Sequence, residues 1–284
     1  MSAPILLSDR ALLAVSGEER FSFLNTLLSA DVSSALGEAR YAALLTPQGK
    51  LLADVICLTD EDRIIVEFPT DSEFAKRLRM YKLRAAVTLE PLDDWQVLVQ
   101  LTDPAPSGCL SFADPRNAGL GHRLYSPAGQ FSPDHDRSAY DAARLMAVVP
   151  EGPVDLEPNK ALLLESGFER LGGVDFRKGC FVGQEVFARI RTYGKTNRIL
   201  AAIEIESPSG KSLLGTQLEM DGNSKGVVTS ETFSKIRHLV LGYVPTPLKQ
   251  LGQRLKSVMQ SVKLLPDLSL FDPSRLKSQL PVFP

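Results

Sequence analysis

The chain has 284 residues, 44% of them hydrophobic and 23% charged, with a formal net charge of −2. That is long enough for a sizeable core and more than one domain, and too ordinary for a disordered, collagen-like or disulfide-stapled protein. The near-neutral balance also excludes a surface built wholly for nucleic acid or anionic membrane.

In chain order, ALLAVSG reads as a short strand. EERFSFLNTLLSADV follows with Phe21, Leu24, Leu27 and Leu28 at helical spacing. YAALLT and LLADVICL flank the turn-type linker PQGK and predict a hairpin, and RIIVEF a further strand. TDSEFAKRLRMYKL predicts a helix capped by Thr70 or Asp71, with Glu73 near the positive end of its dipole. RAAVTLE and WQVLVQL are two more strands, so the first part of the chain has an α+β pattern. Residues 102–136 are loop-rich, with short strands around CLSF and HRLY, and SAYDAARLMAVV resumes helix. KALLLESG reads as a short apolar helix or turn. RILAAIEIE, SLLGTQLEM, KGVVTSETF and IRHLVLGYV then predict a small antiparallel barrel or sandwich. After Pro245 the chain fits either a helix or a strand closing the barrel.

Cys57, Cys109 and Cys180 are widely spaced and form no CxxC pair, which reads as free thiols in a reducing compartment. The start, MSAPILLSDR, lacks the basic and apolar regions of a secretory signal. No apolar run approaches the roughly 18 residues of a membrane span. The expectation is a cytoplasmic protein in a bacterium or a mitochondrial matrix protein in a eukaryote. His122, His135 and His238 have no metal-ligand spacing, so no protein-held metal is expected. No Walker A, GxSxG or GxGxxG sequence is present.

Chemistry concentrates in RKGCFVGQEVFARIR, residues 177–191. A helix starting near Gly183 puts Val182, Val186 and Ile190 on one stripe and lets Glu185 pair with Arg189. Cys180 then lies just before the helix, beside Arg177 and Lys178, where its thiol pKa is expected to fall. Gly179 and Gly183 allow close approach or a positive φ. The other reading makes Cys180 a buried small hydrophobe and Glu185–Arg189 a surface pair. Arg177, Lys178, Arg189, Arg191, Lys195 and Arg198 form a basic segment. It suits a polyglutamate tail, a phosphate or RNA, or is simply a solvated face. Asp54, in TPQGKLLAD, is unusual within an apolar strand. Facing inward it could act as a base or hold a cationic nitrogen; facing outward it is an ordinary polar residue.

LGGVDFRKGCFVGQEVFAR, residues 171–189, resembles the signature of the YgfZ family of folate-binding proteins, relatives of the glycine-cleavage T-protein, the aminomethyltransferase. The family pattern is Lys-Gly-Cys-Tyr-x-Gly-Gln-Glu, with Phe181 here in place of the tyrosine. FLNTLLSADV, LLTPQGKLLADV and KGVVTSETFS…LVLGYV extend the resemblance over about residues 6–244. It implies a three-part α+β fold around a tetrahydrofolate channel. Two interleaved, ferredoxin-like portions would fill residues 1–195, and a C-terminal antiparallel β-barrel with a tail would fill 196–284.

The implied role is a folate-binding accessory protein for assembly or repair of 4Fe–4S clusters and, through them, tRNA thiomodification. The implied partners are iron–sulfur assembly proteins and 4Fe–4S client enzymes; neither membrane nor direct nucleic-acid binding is expected. Cys180 matches the family's functional cysteine, and Asp54 the T-protein's catalytic aspartate. Tyr140 keeps one aromatic folate contact, whereas Arg10 replaces another. Glu165 matches a family acid, although Leu163 stands for the proline before it. Tyr140, Glu165, Lys178, Gln184, Glu185 and Arg189 are thus the expected folate contacts. A pterin needs an aromatic or apolar slot and a carboxylate, for which Glu165, Glu185 and Asp54 are candidates. One thiol cannot hold a cluster alone, so any cluster contact would be transient and shared. Two alternatives stay open: a tetrahydrofolate-dependent aminomethyltransferase using Asp54 as acid/base, and a tRNA-binding protein using the basic segment.

Overall fold

A computed structural model describes residues 3–102, 104–193, 198–205, 212–220, 224–233, 238–245 and 262–264. It opens with β1 (Ile5–Leu6), β2 (Arg10–Ser16), α1 (Arg20–Leu27), β3 (Ala39–Leu45), β4 (Leu51–Asp60), β5 (Arg63–Pro69), α2 (Phe74–Lys82) and β6 (Thr88–Pro91). Five of these strands form an antiparallel sheet in the order β3-β4-β5-β2-β6. The order β4-β5-β2-β6 with its two helices is that of a ferredoxin-like unit, and β3 adds an outer hairpin strand.

Strand residues alternate between faces, and each face has its own partner. Leu13, Val15, Val55, Cys57, Ile64 and Val66 pack under the two helices, against Leu24 and Leu27 of α1 and Phe74 and Leu78 of α2. Burial pushes the Cys57 thiol up to about 12, so it is an inert core residue. The opposite face carries Leu12, Ala14, Tyr41, Ile56 and Ile65. The α2 start differs from expectation. Thr70 donates from its backbone N–H to the Asp9 carbonyl (3.0 Å), so it ties down the end of β5, and the helix begins at Phe74 with no side-chain cap.

A second antiparallel sheet covers that opposite face. It comprises β1, β7 (Trp95–Gln100), β8 (Leu110–Ala113) and β9 (His122–Pro127), ordered β1-β7-β9-β8. Val97, Val99, Phe112 and Tyr125 join the core between the two sheets. After α3 (Ser138–Met146), residues 147–183 run in turns across this body to α4 (Gln184–Tyr193), which Phe187 seats in the same core.

The C-terminal strands are β10 (Arg198–Ile205), β11 (Gln217–Met220), β12 (Ser224–Phe233), β13 (His238–Pro245) and β14 (Val262–Leu264). They form a third antiparallel sheet, β11-β12-β13-β10-β14. No β11–β14 pairing closes it among the described residues. Of the ambiguous tail only β14 is described, as a strand on the β10 edge; the rest lies outside the described residues. Leu145 of α3 packs this sheet onto the body with Leu200, Ala202, Leu241 and Tyr243.

Candidate functional site

Two places collect the chemically expressive residues. The first lies between the two body sheets. Arg10, Asp54 and Glu67 sit at inward positions of β2, β4 and β5, and Arg123 and Tyr125 at inward positions of β9. Arg10 donates through Nε to Glu67 (2.8 Å) and through Nη1 to Asp54 (3.2 Å), and Gly152 N–H donates to Asp54 at 3.2 Å. The Arg10 and Asp54 side chains are 1% and 0% exposed. A Cβ at Gly152 would lie 2.6 Å from Asp54 Oδ1, so only glycine lets that backbone so close. Burial pushes the Asp54 carboxyl above its usual range, against the pull of Arg10 and Arg116.

Tyr140, from α3, joins the same network. Its hydroxyl accepts from Arg116 (3.0 Å) and Arg123 (3.1 Å) and donates to Glu151 in a short bond. Burial pushes its phenol up to about 12. Burial would also raise the Glu151 carboxyl, but Arg144, Arg116, Arg137 and Arg123 outweigh it and hold it far below the carboxylate range. Asp155 accepts from Arg144 (2.7 Å) and Ser230 (2.7 Å) and so links the network to the third sheet. Sequence reasoning found Asp54 and Tyr140 here but missed Glu67, Arg116, Arg123, Glu151 and Asp155. Two of them carried a signal: Glu67 and Arg123 sit at inward-facing strand positions, as Asp54 does, whereas Arg116, Glu151 and Asp155 lie in loops and carried none.

The second place is the loop holding Cys180, four residues before α4. Backbone bonds tie the loop to α1 and the residues just after it: Val182 N–H to Thr26 O (3.3 Å) and Asp175 N–H to Ser29 O (3.1 Å). Lys178 Nζ donates to Leu28 O and Ala30 O, both at 2.7 Å, so its ammonium caps the end of α1. Burial lowers the Lys178 pKa to about 8. Gln184 shapes the turn, its Oε1 accepting from Phe181 N–H at 3.4 Å. Gly183, at φ +83°, packs against the PQGK turn, where a Cβ would lie 2.5 Å from Thr46 O. The Cys180 side chain emerges exposed from this fixed frame.

The remaining expected contacts do not converge. Glu185 and Arg189 pair at 3.1 Å on the exposed face of α4, 85% and 71% exposed. Glu165 pairs with Arg198 at 2.7 Å beside the third sheet, where Arg198 covers the Tyr243 ring. Among the described residues the basic segment is therefore not one patch: Lys178 faces α1, Arg189 has Glu185 and Arg198 has Glu165, and Arg177 stands exposed near Asp175 (3.9 Å). Lys195 and the Arg191 side chain lie outside the described residues. No group of three or more His, Cys, Asp and Glu among the described residues is placed to hold a metal ion. No described helix is long and apolar enough to cross a membrane.

A folate would need an open slot among these contacts. Arg10, where the resemblance implies an aromatic ring, lies on Asp54, and neither side chain reaches solvent. A cavity of about 290 Å³ does open at the seam with the third sheet, lined by Asp155, Lys160, Arg198, Thr229 and Tyr243. There Asp155 already accepts from Arg144, Thr229 and Ser230, Glu157 is paired with Lys160 (2.5 Å), and Tyr243 is covered by Arg198. In this arrangement neither place offers a pterin both an open ring slot and a free carboxylate.

No protein-family model matches the chain. It is 32% identical over 263 residues to the mitochondrial iron–sulfur cluster assembly factor IBA57 of Mus musculus, covering 80% of this chain and 70% of that protein. It is 32% identical over 259 residues to the Homo sapiens protein of the same name, covering 78% and 72%. The IBA57 homolog of Pyricularia oryzae is 31% identical over 218 residues, and the chain spans only 56% of its length. Among solved structures, the glycine cleavage system aminomethyltransferase T of Bartonella henselae superposes with a TM-score of 0.65. That match covers 85% of this chain and 78% of that one at 18% identity, and shows a shared fold.

Proposed function

This chain belongs to the family of the iron–sulfur cluster assembly factor IBA57, and from that premise we propose that it is an accessory protein for assembly or repair of 4Fe–4S clusters, working through the thiol of Cys180. The observation that carries the reading is the contrast within one loop. Its backbone is tied to α1 and to the PQGK turn, yet Cys180 and Gly179 are exposed, and a Cβ at Gly179 would meet nothing within 4 Å. A thiol held this way is accessible to a bulky partner. One thiolate cannot hold a cluster, so iron–sulfur assembly proteins or 4Fe–4S client enzymes supply the other ligands. Any effect on tRNA thiomodification is then indirect, through such clients. The relatives are named as mitochondrial; on this reading the chain works where clusters are built, the matrix of a eukaryotic cell or the cytoplasm of a bacterium.

The buried state of Asp54 weighs against the aminomethyltransferase alternative. An acid/base group must come within hydrogen-bond reach of its substrate, and Asp54 is enclosed by Arg10 and Gly152. Among the described residues the split basic segment likewise gives the tRNA-binding alternative no continuous surface. The aminomethyltransferase-like fold supports kinship with the YgfZ family and tetrahydrofolate binding, although the enclosed Arg10–Asp54 pair leaves folate no slot in this arrangement.

The test is transfer of a 4Fe–4S cluster from an assembly protein to an apo-client under anaerobic conditions. Wild type should stimulate transfer. Cys180→Ala should fold normally, with stability changed by less than about 0.5 kcal/mol as expected of an exposed site, and should lose the stimulation. Undiminished transfer by the variant would remove Cys180 from the mechanism. The same assay with and without tetrahydrofolate tests whether folate takes part.

A further inference from the structure

The second helix presents a face that neither the fold nor the Cys180 loop uses. Phe74 and Leu78 turn inward, and the helical repeat puts Lys76, Arg79, Met80 and Leu83 on the opposite side. Met80 is 57% exposed and Leu83 is 87% exposed, the most exposed of the large hydrophobic side chains described. Leu83 ends the helix at φ +38°, a conformation that leucine adopts only at a cost. The surroundings are cationic: Lys76, Arg77, Arg79, Lys82 and Arg84 fall within nine residues. Glu73 pairs with Lys76 (3.5 Å) and Arg77 (2.8 Å). Arg79, Lys82 and Arg84 have no acidic partner among the described residues.

We propose that the outer face of α2 is a docking site for an acidic segment of a partner protein, with Met80 and Leu83 as its apolar centre and Arg79, Lys82 and Arg84 as its rim. Apolar centre and charged rim are the anatomy of a protein interface, where methionine and arginine are enriched. Methionine suits such a surface because its flexible side chain adapts to different partners. Five cations could also draw an anionic-lipid surface, but Glu73 engages two of them and only Met80 and Leu83 offer apolar area to bury in one. The face also lacks the exposed aromatic ring on which single-stranded nucleic acid stacks. An acidic segment with one or two apolar side chains complements both parts of the patch.

The probe is a synthetic amphipathic helix with two leucines one turn apart and glutamates on both flanks, titrated against the full chain. Binding should weaken with salt, as exposed charge pairs do. Reversing Arg79 and Arg84 together to glutamate should weaken it roughly tenfold or more. Met80→Ser with Leu83→Ser should weaken it several-fold; these side chains are exposed, so unchanged melting confirms the fold. The proposal is overturned if the peptide does not bind or if the serine variant binds it as well as wild type. It is also overturned by tighter binding to phosphatidylserine vesicles or to single-stranded RNA, or if the patch instead drives self-association that the variants abolish.

Discussion

Two glycines three residues from Cys180 on one side and one on the other do opposite jobs. Gly183 is needed by the fold, because it combines a left-handed φ with contact to the PQGK turn. Gly183→Ala should cost about 2 to 4 kcal/mol, the sum of a left-handed backbone penalty and an overpacked contact, read by urea unfolding. Gly179→Ala should leave stability within about 0.5 kcal/mol, since no neighbour awaits its methyl group. At this scale the sequence was partly legible. The cysteine-glycine motif, the helix start and the Glu185–Arg189 pair could all be read from spacing. The destination of the Lys178 ammonium could not, because the carbonyls it caps belong to residues about 150 positions earlier. Arg10 is the instructive case: its departure from the family's aromatic ring was visible, but only the sheet order brings it onto Asp54.

Among elements, the strands and helices were legible because their periodicity is local, and the C-terminal run resolved into the four expected strands plus β14. What periodicity could not show is that two apolar-looking sheets would enclose a charge network. Its titration follows from its arginines. Glu151 has a folded pKa held well below its ordinary value of 4.5, so its stabilisation is complete above about pH 4.5 and is lost as the pH falls below that. Asp114 shifts the same way: burial would raise it, but Arg116 and Arg123 bring it down. Asp54 shifts upward and opposes them. Wild type should therefore lose stability below about pH 4.5. Glu151→Gln should be destabilised at neutral pH by about 3 to 5 kcal/mol, because it strips the partner from buried arginines. Its acid slope should be shallower, as denaturant melts across pH would show.

At the scale of the molecule, the third sheet is fixed to the body through Asp155, with help from the Tyr243 hydroxyl bonded to Asp155 O (3.0 Å) and Ser166 (2.8 Å). Asp155→Asn replaces one acceptor by a donor facing either the Arg144 guanidinium or the two hydroxyls. The expected cost is about 1 to 3 kcal/mol. Hydrogen exchange should show it as faster exchange in β12 and β13, with the amides of β4 and β5 unchanged. This long-range attachment had no signature in the sequence, since the seam joins a loop to strands some 75 residues later.

The enclosure of Arg10, Asp54 and Glu67 between two sheets also bears on how the chain is born. The strands that carry them are complete by residue 69, but Arg123 and Gly152, which cover and bond them, come much later. At a synthesis rate of roughly 5 to 20 residues per second, a nascent chain waits on the order of 4 to 16 seconds for the residues up to Gly152. During that interval the first sheet bears an uncovered face with charges set among apolar side chains. Charges set in an apolar face make it costly to bury that face, unpaired, against another nascent chain. A network that looks costly in the finished molecule thus acts as a safeguard while the molecule is incomplete.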